Sequence, residues 1–330
     1  MSDLALVAEA FWRGSLGTTS ALVSGTLVRA IPLAILGVAI AIAFRAGVFN
    51  IGAEGQLLLG AIAATVVGLH VPAGLGMAGL LLALAAGAVA GGAWAGIAAL
   101  LRARFGVLEV ISTIMLNFVA LNLLSFLVRG PLQEPTRVYP QTEAIAEGTR
   151  LPLLLSDTRL HAGLIIALAV SVAAWWFLAR TAAGFRLRAA GASATAAASA
   201  GQIDVARVSA WALVASGAIA GLAGGIEVAG VTYALYENLS PGYGFAAIAV
   251  AVLARLHPLA VLGTAFLFAT FETGALGMQR DAGVPSVVAS VLEAVAILLV
   301  VAWSGRLSAI RWSWRSTRAD RGGAPAASEA

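Results

Sequence analysis

The sequence predicts an all-α, polytopic helical membrane protein with about nine transmembrane helices in an inverted-repeat arrangement. Three observations carry that reading. Sixty per cent of the 330 residues are hydrophobic and only 11% are charged, against roughly 25% charged in soluble domains. Mean hydropathy is +0.94. Apolar runs long enough to cross a bilayer follow one another along most of the chain.

Those runs lie at about 20–44, 52–70, 73–101, 107–129, 161–180, 207–228, 243–257, 258–277 and 284–303. The seventh is short, and only the break Arg255-Leu256-His257-Pro258 separates it from the eighth. Residues 1–305 read as a single transmembrane domain, and 306–330 as a basic cytoplasmic tail with Trp312 and Trp314 at the interface. The first seventeen residues carry Asp3 and Glu9 but no basic cluster before an apolar core, which argues against a cleavable signal peptide.

All twenty basic residues are arginine, and their placement sets the direction of the chain. Arg45, Arg102, Arg104, Arg180, Arg186, Arg188, Arg207, Arg255 and the five arginines of the tail fall on one set of alternate connections. Arg13, Arg129, Arg137, Arg150, Arg159 and Arg280 fall on the other. The positive-inside rule puts the richer set in the cytoplasm, with the N-terminus outside. Residues 130–160, punctuated by four prolines, then form an external loop, and 181–206 a cytoplasmic one.

With this orientation a repeat emerges. Phe49-Asn50-Ile51-Gly52-Ala53-Glu54-Gly55 precedes the outward-running second span, and Glu237 to Gly244 precedes the inward-running seventh. Gly106-Val107 and Gly283-Val284 open the fourth and ninth spans in the same way. Two halves of four helices joined by a linker helix make an inverted-topology pair, a common transporter plan.

Candidate functional residues follow from polar groups at membrane depth. Asn50, Glu54 and Gln56, among glycines 47, 52 and 55, mark a helix break that could line a path. As a packing alternative, Asn50 suits an N-cap and Glu54 the first helical turn. In the fourth span Asn117 is the better path candidate and Asn122 the better candidate for helix packing. Glu272 and Glu293 are the deeper of the remaining carboxylates, and Arg29 can snorkel or pair with one of them. Glu109 and Glu227, near span ends, read as interfacial.

The cytoplasmic stretch 181–206 places Gly184, Arg186, Arg188, Gly191 and Gly201 around an alanine-rich helix former, a surface suited to docking a partner. Other chemistry is excluded by composition. Without cysteine there is no disulfide or thiolate metal site, and His70, His161 and His257 are too scattered to hold a metal. Without lysine there is no P-loop ATPase. No catalytic His–acid pair or nucleophile motif is visible, so an embedded enzyme is the remotest reading.

Four stretches then carry a resemblance. FRAGVFNIGAEGQ at 44–56, EVISTIMLN at 109–117, GFRLRAAGASATAA at 184–197 and SPGYGFAAIAVAVLAR at 240–255 resemble the permease subunits of ATP-binding-cassette importers for nucleosides and simple sugars. That group is related to the branched-chain amino-acid permeases, and the likeness runs from about residue 15 to 303. Its nucleoside branch usually has a further helix before the segment that starts here near Phe11.

The resemblance implies a multi-pass protein of the bacterial inner membrane that moves a nucleoside or related polar solute inward. A simple sugar is the alternative, and an ion-coupled transporter using Glu54, Glu272 or Glu293 the alternative of another class. Implied partners are a cytoplasmic ABC ATPase, a second permease subunit, an external solute-binding protein and membrane lipids, with no nucleic acid. No cofactor is expected on this chain, since ATP would be used by the partner. Gly184, Arg186, Arg188, Gly191 and Gly201 would carry the ATPase contact.

Overall fold

A computed structural model describes residues 3–199, 201–285, 287, 288, 291, 294, 295 and 298. Among them the chain is helical, with no strand and two isolated bridges, Gln141 to Tyr236 and Leu153 to His161. Seven helical stretches are long and apolar enough to cross a membrane, and an eighth, Tyr243–Leu253, is shorter. Only scattered positions of the ninth expected span are described, and Glu293 lies outside the described residues.

A central pillar organises the bundle. Helix α1 (Asp3–Ser15) is followed by a π-helical turn, Ala21–Thr26, that runs straight into α2 (Leu27–Arg45). Residues 30–43 of α2 are buried on every side, as expected of a helix with no polar face. Next come α3 (Ala53–His70), α4 (Gly76–Phe105), α5 (Glu109–Arg129) and α6 (Gly163–Arg180). The hydrophobic windows of α5 and α6 are only 28% buried within the chain, against 83% for the span through α2. Their apolar outer faces are therefore the ones turned to lipid or to another subunit.

Three helices meet through glycine. The α9 helix (Val205–Glu227) continues as a π turn, Val228–Thr232. A Cβ on Gly60 of α3 would lie 2.1 Å from the Gly221 carbonyl oxygen, and one on Gly91 of α4 would lie 2.4 Å from that of Gly217. Backbones this close leave room for hydrogen only, the small-residue packing typical of membrane helices.

α6 turns directly into α7 (Ala182–Ala192) and α8 (Ala194–Ser199). The Thr181 hydroxyl oxygen accepts from the Gly184 N–H at 3.0 Å and so caps α7. Asp204 caps α9 in the same way through the Arg207 N–H, also at 3.0 Å. Two further helices, α10 (Tyr243–Leu253) and α11 (Pro258–Asp281), close the described fold. The sequence reading of 243–257 as a span needs correction here. Eleven residues at about 1.5 Å each reach about 16 Å, half a hydrocarbon core of about 30 Å.

The loop between α5 and α6 is ordered as a strap. Backbone N–H groups of Thr142, Ile145 and Leu151 donate to the carbonyls of Leu235, Tyr233 and Ala229 at 2.8–2.9 Å, binding it over the outer end of α9. At its foot Arg129 clasps Glu237 with two bonds of 2.6 and 2.8 Å. These bonds, with one from Ser125, hold the Glu237 carboxyl at a pKa of about 2.

His161, where the strap rejoins α6, is 1% exposed and accepts the Gly163 N–H on Nδ1. Burial and then the Arg159 charge lower its pKa from 6.5 to about 4. Above pH 6.5 the ring is neutral in both folded and unfolded chains. Between 6.5 and about 4 only the unfolded chain takes up the proton, so stability falls as the pH drops through that window. Thermal unfolding of the detergent-purified protein is expected to show a loss of about 2 kcal/mol between pH 7 and pH 5. His161→Gln should remove that slope, and an unchanged slope would refute the assignment.

Candidate functional site

The polar break is a buried knot. After Arg45 the chain turns on Gly47 (φ +73°) and climbs back beside α9 until α3 begins. Asn50 Nδ2 donates to Gln56 Oε1 at 2.8 Å and to Ser216 Oγ at 2.9 Å, while Asn50 Oδ1 accepts from Gln56 Nε2 at 2.9 Å and from the Gly52 N–H at 3.0 Å. Ser216 lies eleven residues into α9, about 16 Å along its axis, which sets the knot near mid-membrane. Gly52 is the N-cap of α3; Asn50 stands two residues earlier and ties the turn instead.

Asn117 closes the knot from α5. Its Oδ1 accepts the Gly55 N–H at 2.8 Å, and its Nδ2 donates to the Ile51 carbonyl at 2.9 Å. Asn50, Gln56 and Asn117 are at most 2% exposed, so their hydrogen bonds serve the knot itself. Asn122 does not reach another described helix: its amide donates to Phe118 one turn back, on the outer face of α5.

Glu54 joins the two repeat motifs. The α10 N–H of Gly244 donates to its Oε2 at 2.7 Å, and the Ser240 hydroxyl bonds the same carboxylate. Ser240 Oγ in turn accepts the N–H groups of Gly242 and Tyr243. A Cβ on Gly244 would lie 2.3 Å from the Glu54 nitrogen, so the two helix N-termini nearly touch. One carboxylate therefore answers the positive ends of both α3 and α10.

Directly above this junction a cavity of about 870 Å³ opens toward the outer side, between α2, the end of α9, the 236–241 segment and α11. Tyr243 forms part of its floor, and Arg29, Arg159, Glu227 and Tyr236 part of its walls. Glu272 pairs with Arg29 at 3.4 Å. None of Asn50, Glu54, Gln56 and Asn117 lines it. Glu227, read from sequence as interfacial, is 5% exposed and faces the cavity. Its closeness to a span end hid this role, which depends on the 236–241 segment that walls the cavity beside it.

On α7, Arg186, Arg188 and Phe185 (61% exposed) form the outer face, while Gly184, Leu187 and Ala190 are buried. Gly191 presses on the turn at the knot: a Cβ there would lie 2.1 Å from the Arg45 carbonyl oxygen. The Arg45 side chain donates to the Leu256 carbonyl between α10 and α11 at 2.7 Å. α7 therefore abuts the turn that leads to α3, and Arg45 ties that turn to the segment before α11. Gly201 sits in the exposed turn before α9. Glu109, the remaining buried carboxylate, pairs with Arg102 at 3.0 Å below the break.

Comparison with known proteins decides what this architecture serves. Residues 22–302 match the family described as branched-chain amino acid transport system, permease component. The chain belongs to that family. It is 38% identical over 287 residues to the glucose ABC transporter permease protein TsgB13 of Haloferax volcanii, covering 83% of this chain and 74% of that one. It is 39% identical over 306 residues to the guanosine ABC transporter permease protein NupP of Bacillus subtilis, covering 88% and 84%. Against the nucleoside ABC transporter permease protein NupB of Lactococcus lactis the identity is 32% over 280 residues, covering 82% and 76%. No solved structure matches the chain significantly.

The protein is thus a multi-pass permease subunit of an ATP-binding-cassette importer. Permeases of this family work with an ATPase and a solute-binding partner.

Proposed function

We propose that this permease imports a nucleoside or a simple sugar across the cytoplasmic membrane, by alternating access beneath the outer cavity. The cavity supports this reading most directly. Its volume falls in the range of about 300–1,000 Å³ that suits a small polar ligand, and its walls mix polar side chains with tyrosine rings. The relatives are named for glucose, guanosine and nucleosides, which are the two solute classes proposed.

ATP would be hydrolysed by a separate cytoplasmic subunit docked on Phe185, Arg186 and Arg188, with no cofactor on this chain. Movement of α7 would pass through Gly191 and the 45–47 turn to the knot, and so to the floor of the cavity. A second permease subunit would cover the outer face of α5, where Asn122 stands among Met115, Phe118, Val119 and Phe126. An external binding protein would deliver the solute over the strap.

Reconstitution of the assembled importer in proteoliposomes tests the proposal. Uptake of guanosine or glucose should require ATP, the ATPase and the binding protein together. Replacing Arg186→Glu and Arg188→Glu should cut uptake at least tenfold and release the ATPase on purification. Uptake by this chain alone, abolished by a protonophore and indifferent to ATP, would overturn it.

A further inference from the structure

Charge pairing around the outer cavity leaves one acceptor and one donor without a hydrogen bond or direct ion pair, although the charges of Arg29 and Arg159 reach Glu227. Arg13 pairs with Glu9, Arg29 with Glu272 and Arg280 with Asp281. Glu227 and Arg159 remain. Among the described residues neither side chain makes a hydrogen bond or an ion pair, and no salt bridge within 4.0 Å joins them. Glu227 is 5% exposed, and a buried carboxylate without a donor is costly. Its exposed edge faces the cavity, with Tyr236 and Tyr243 alongside.

We propose that Glu227 is the solute-recognition group of this permease and binds the vicinal diol of a ribose or pyranose ring. The inference rests on the import function proposed above. Four arginines and two carboxylates line the cavity, and Glu9 and Glu272, paired with Arg13 and Arg29, bring the local charges into balance, which favours a solute without net charge. Adjacent hydroxyls can donate to the two carboxylate oxygens, as charge-assisted hydrogen bonds. A ring oxygen or base carbonyl can accept from Arg159, and a flat ring face can lie on tyrosine. The diol is shared by ribonucleosides and aldopyranoses. An amino-acid zwitterion would also match one carboxylate and one guanidinium, but it leaves the aromatic walls unused.

The absence of cysteine permits a direct test. Asn238→Cys, at the exposed rim of the cavity, supplies the one thiol on this chain within the assembled importer, and protection of this chain from maleimide labelling reads occupancy of the cavity. Guanosine or glucose should protect, and the arm that does identifies the source of the diol. 2′-Deoxyguanosine, or in the sugar case methyl 3-deoxyglucopyranoside, which keeps no pair of adjacent hydroxyls, should need at least about tenfold higher concentration. Glu227→Gln should weaken protection by the diol solute by a similar factor, with unliganded labelling unchanged to show that the fold is intact. Equal protection by the deoxy solute, an unaffected Glu227→Gln, or stronger protection by leucine would overturn the assignment. Parallel uptake assays keep the two proposals apart. Uptake without diol-dependent protection sinks the role of Glu227 alone, whereas ATP-dependent uptake of neither solute sinks the import reading.

Discussion

Replacing Gly221 with valine is expected to leave no folded permease in the membrane fraction. A Cβ at this position would lie 2.2 Å from the Gly87 carbonyl oxygen and 2.8 Å from the Gly91 Cα. Backbone atoms cannot rotate aside as a side chain can, so α4 and α9 would have to separate. The contact also reaches α3 through Gly60, and a separated wedge would lose packing across three helices. Removing a glycine from a helix interior stabilises it by only about 0.5–1 kcal/mol, far below the loss of that core. Gly263→Ala provides the contrast, since nothing lies within 4 Å of a Cβ there; it should be expressed normally. Gly221→Val recovered at wild-type levels with wild-type uptake would show that the glycine contact is dispensable.

Glu54→Leu is expected to reduce ATP-dependent uptake at least a hundredfold while leaving the chain inserted. Leucine fits the volume but removes the acceptor for the Gly244 N–H and for the Ser240 hydroxyl. A buried donor left unmade costs about 1–3 kcal/mol. Loss of an anion at two helix N-termini adds about 0.3–1 kcal/mol for each. The sum is too small to unfold a helical membrane protein, but it is large against the few kcal/mol that separate conformations of a transporter. Glu54→Gln keeps an oxygen for Gly244 and should retain part of the activity. Uptake would be measured in proteoliposomes alongside membrane abundance. Full uptake by Glu54→Leu would show that the α3–α10 junction is not needed for transport.

Much of this architecture was legible in the sequence, because a bilayer-spanning helix declares itself by composition. The spans through α2 to α6 and α9 came from apolar runs alone. The α10 helix was read too long, since a half-length helix embedded in protein is as apolar as a whole span. Asn50, Gln56 and Asn117 stood out as costly residues at depth, and they are buried at a break as expected. Their use was not readable: a reciprocal amide pair six residues apart needs a non-helical turn whose geometry no pattern announces. Glu227 was missed for the opposite reason. Its position along α9 looked unremarkable, and only the fold of 236–241 exposes it to a cavity.

The shortness of α10 has an electrical consequence. Where solvent fills the outer cavity, the membrane potential falls mainly across the thin layer below Tyr243, about 16 Å deep by the length of α10. The field there is about twice that across an unbroken core of about 30 Å. A charge carried through this layer couples to nearly the whole potential, about 2.3 kcal/mol for each 100 mV. A neutral solute would cross it without that coupling.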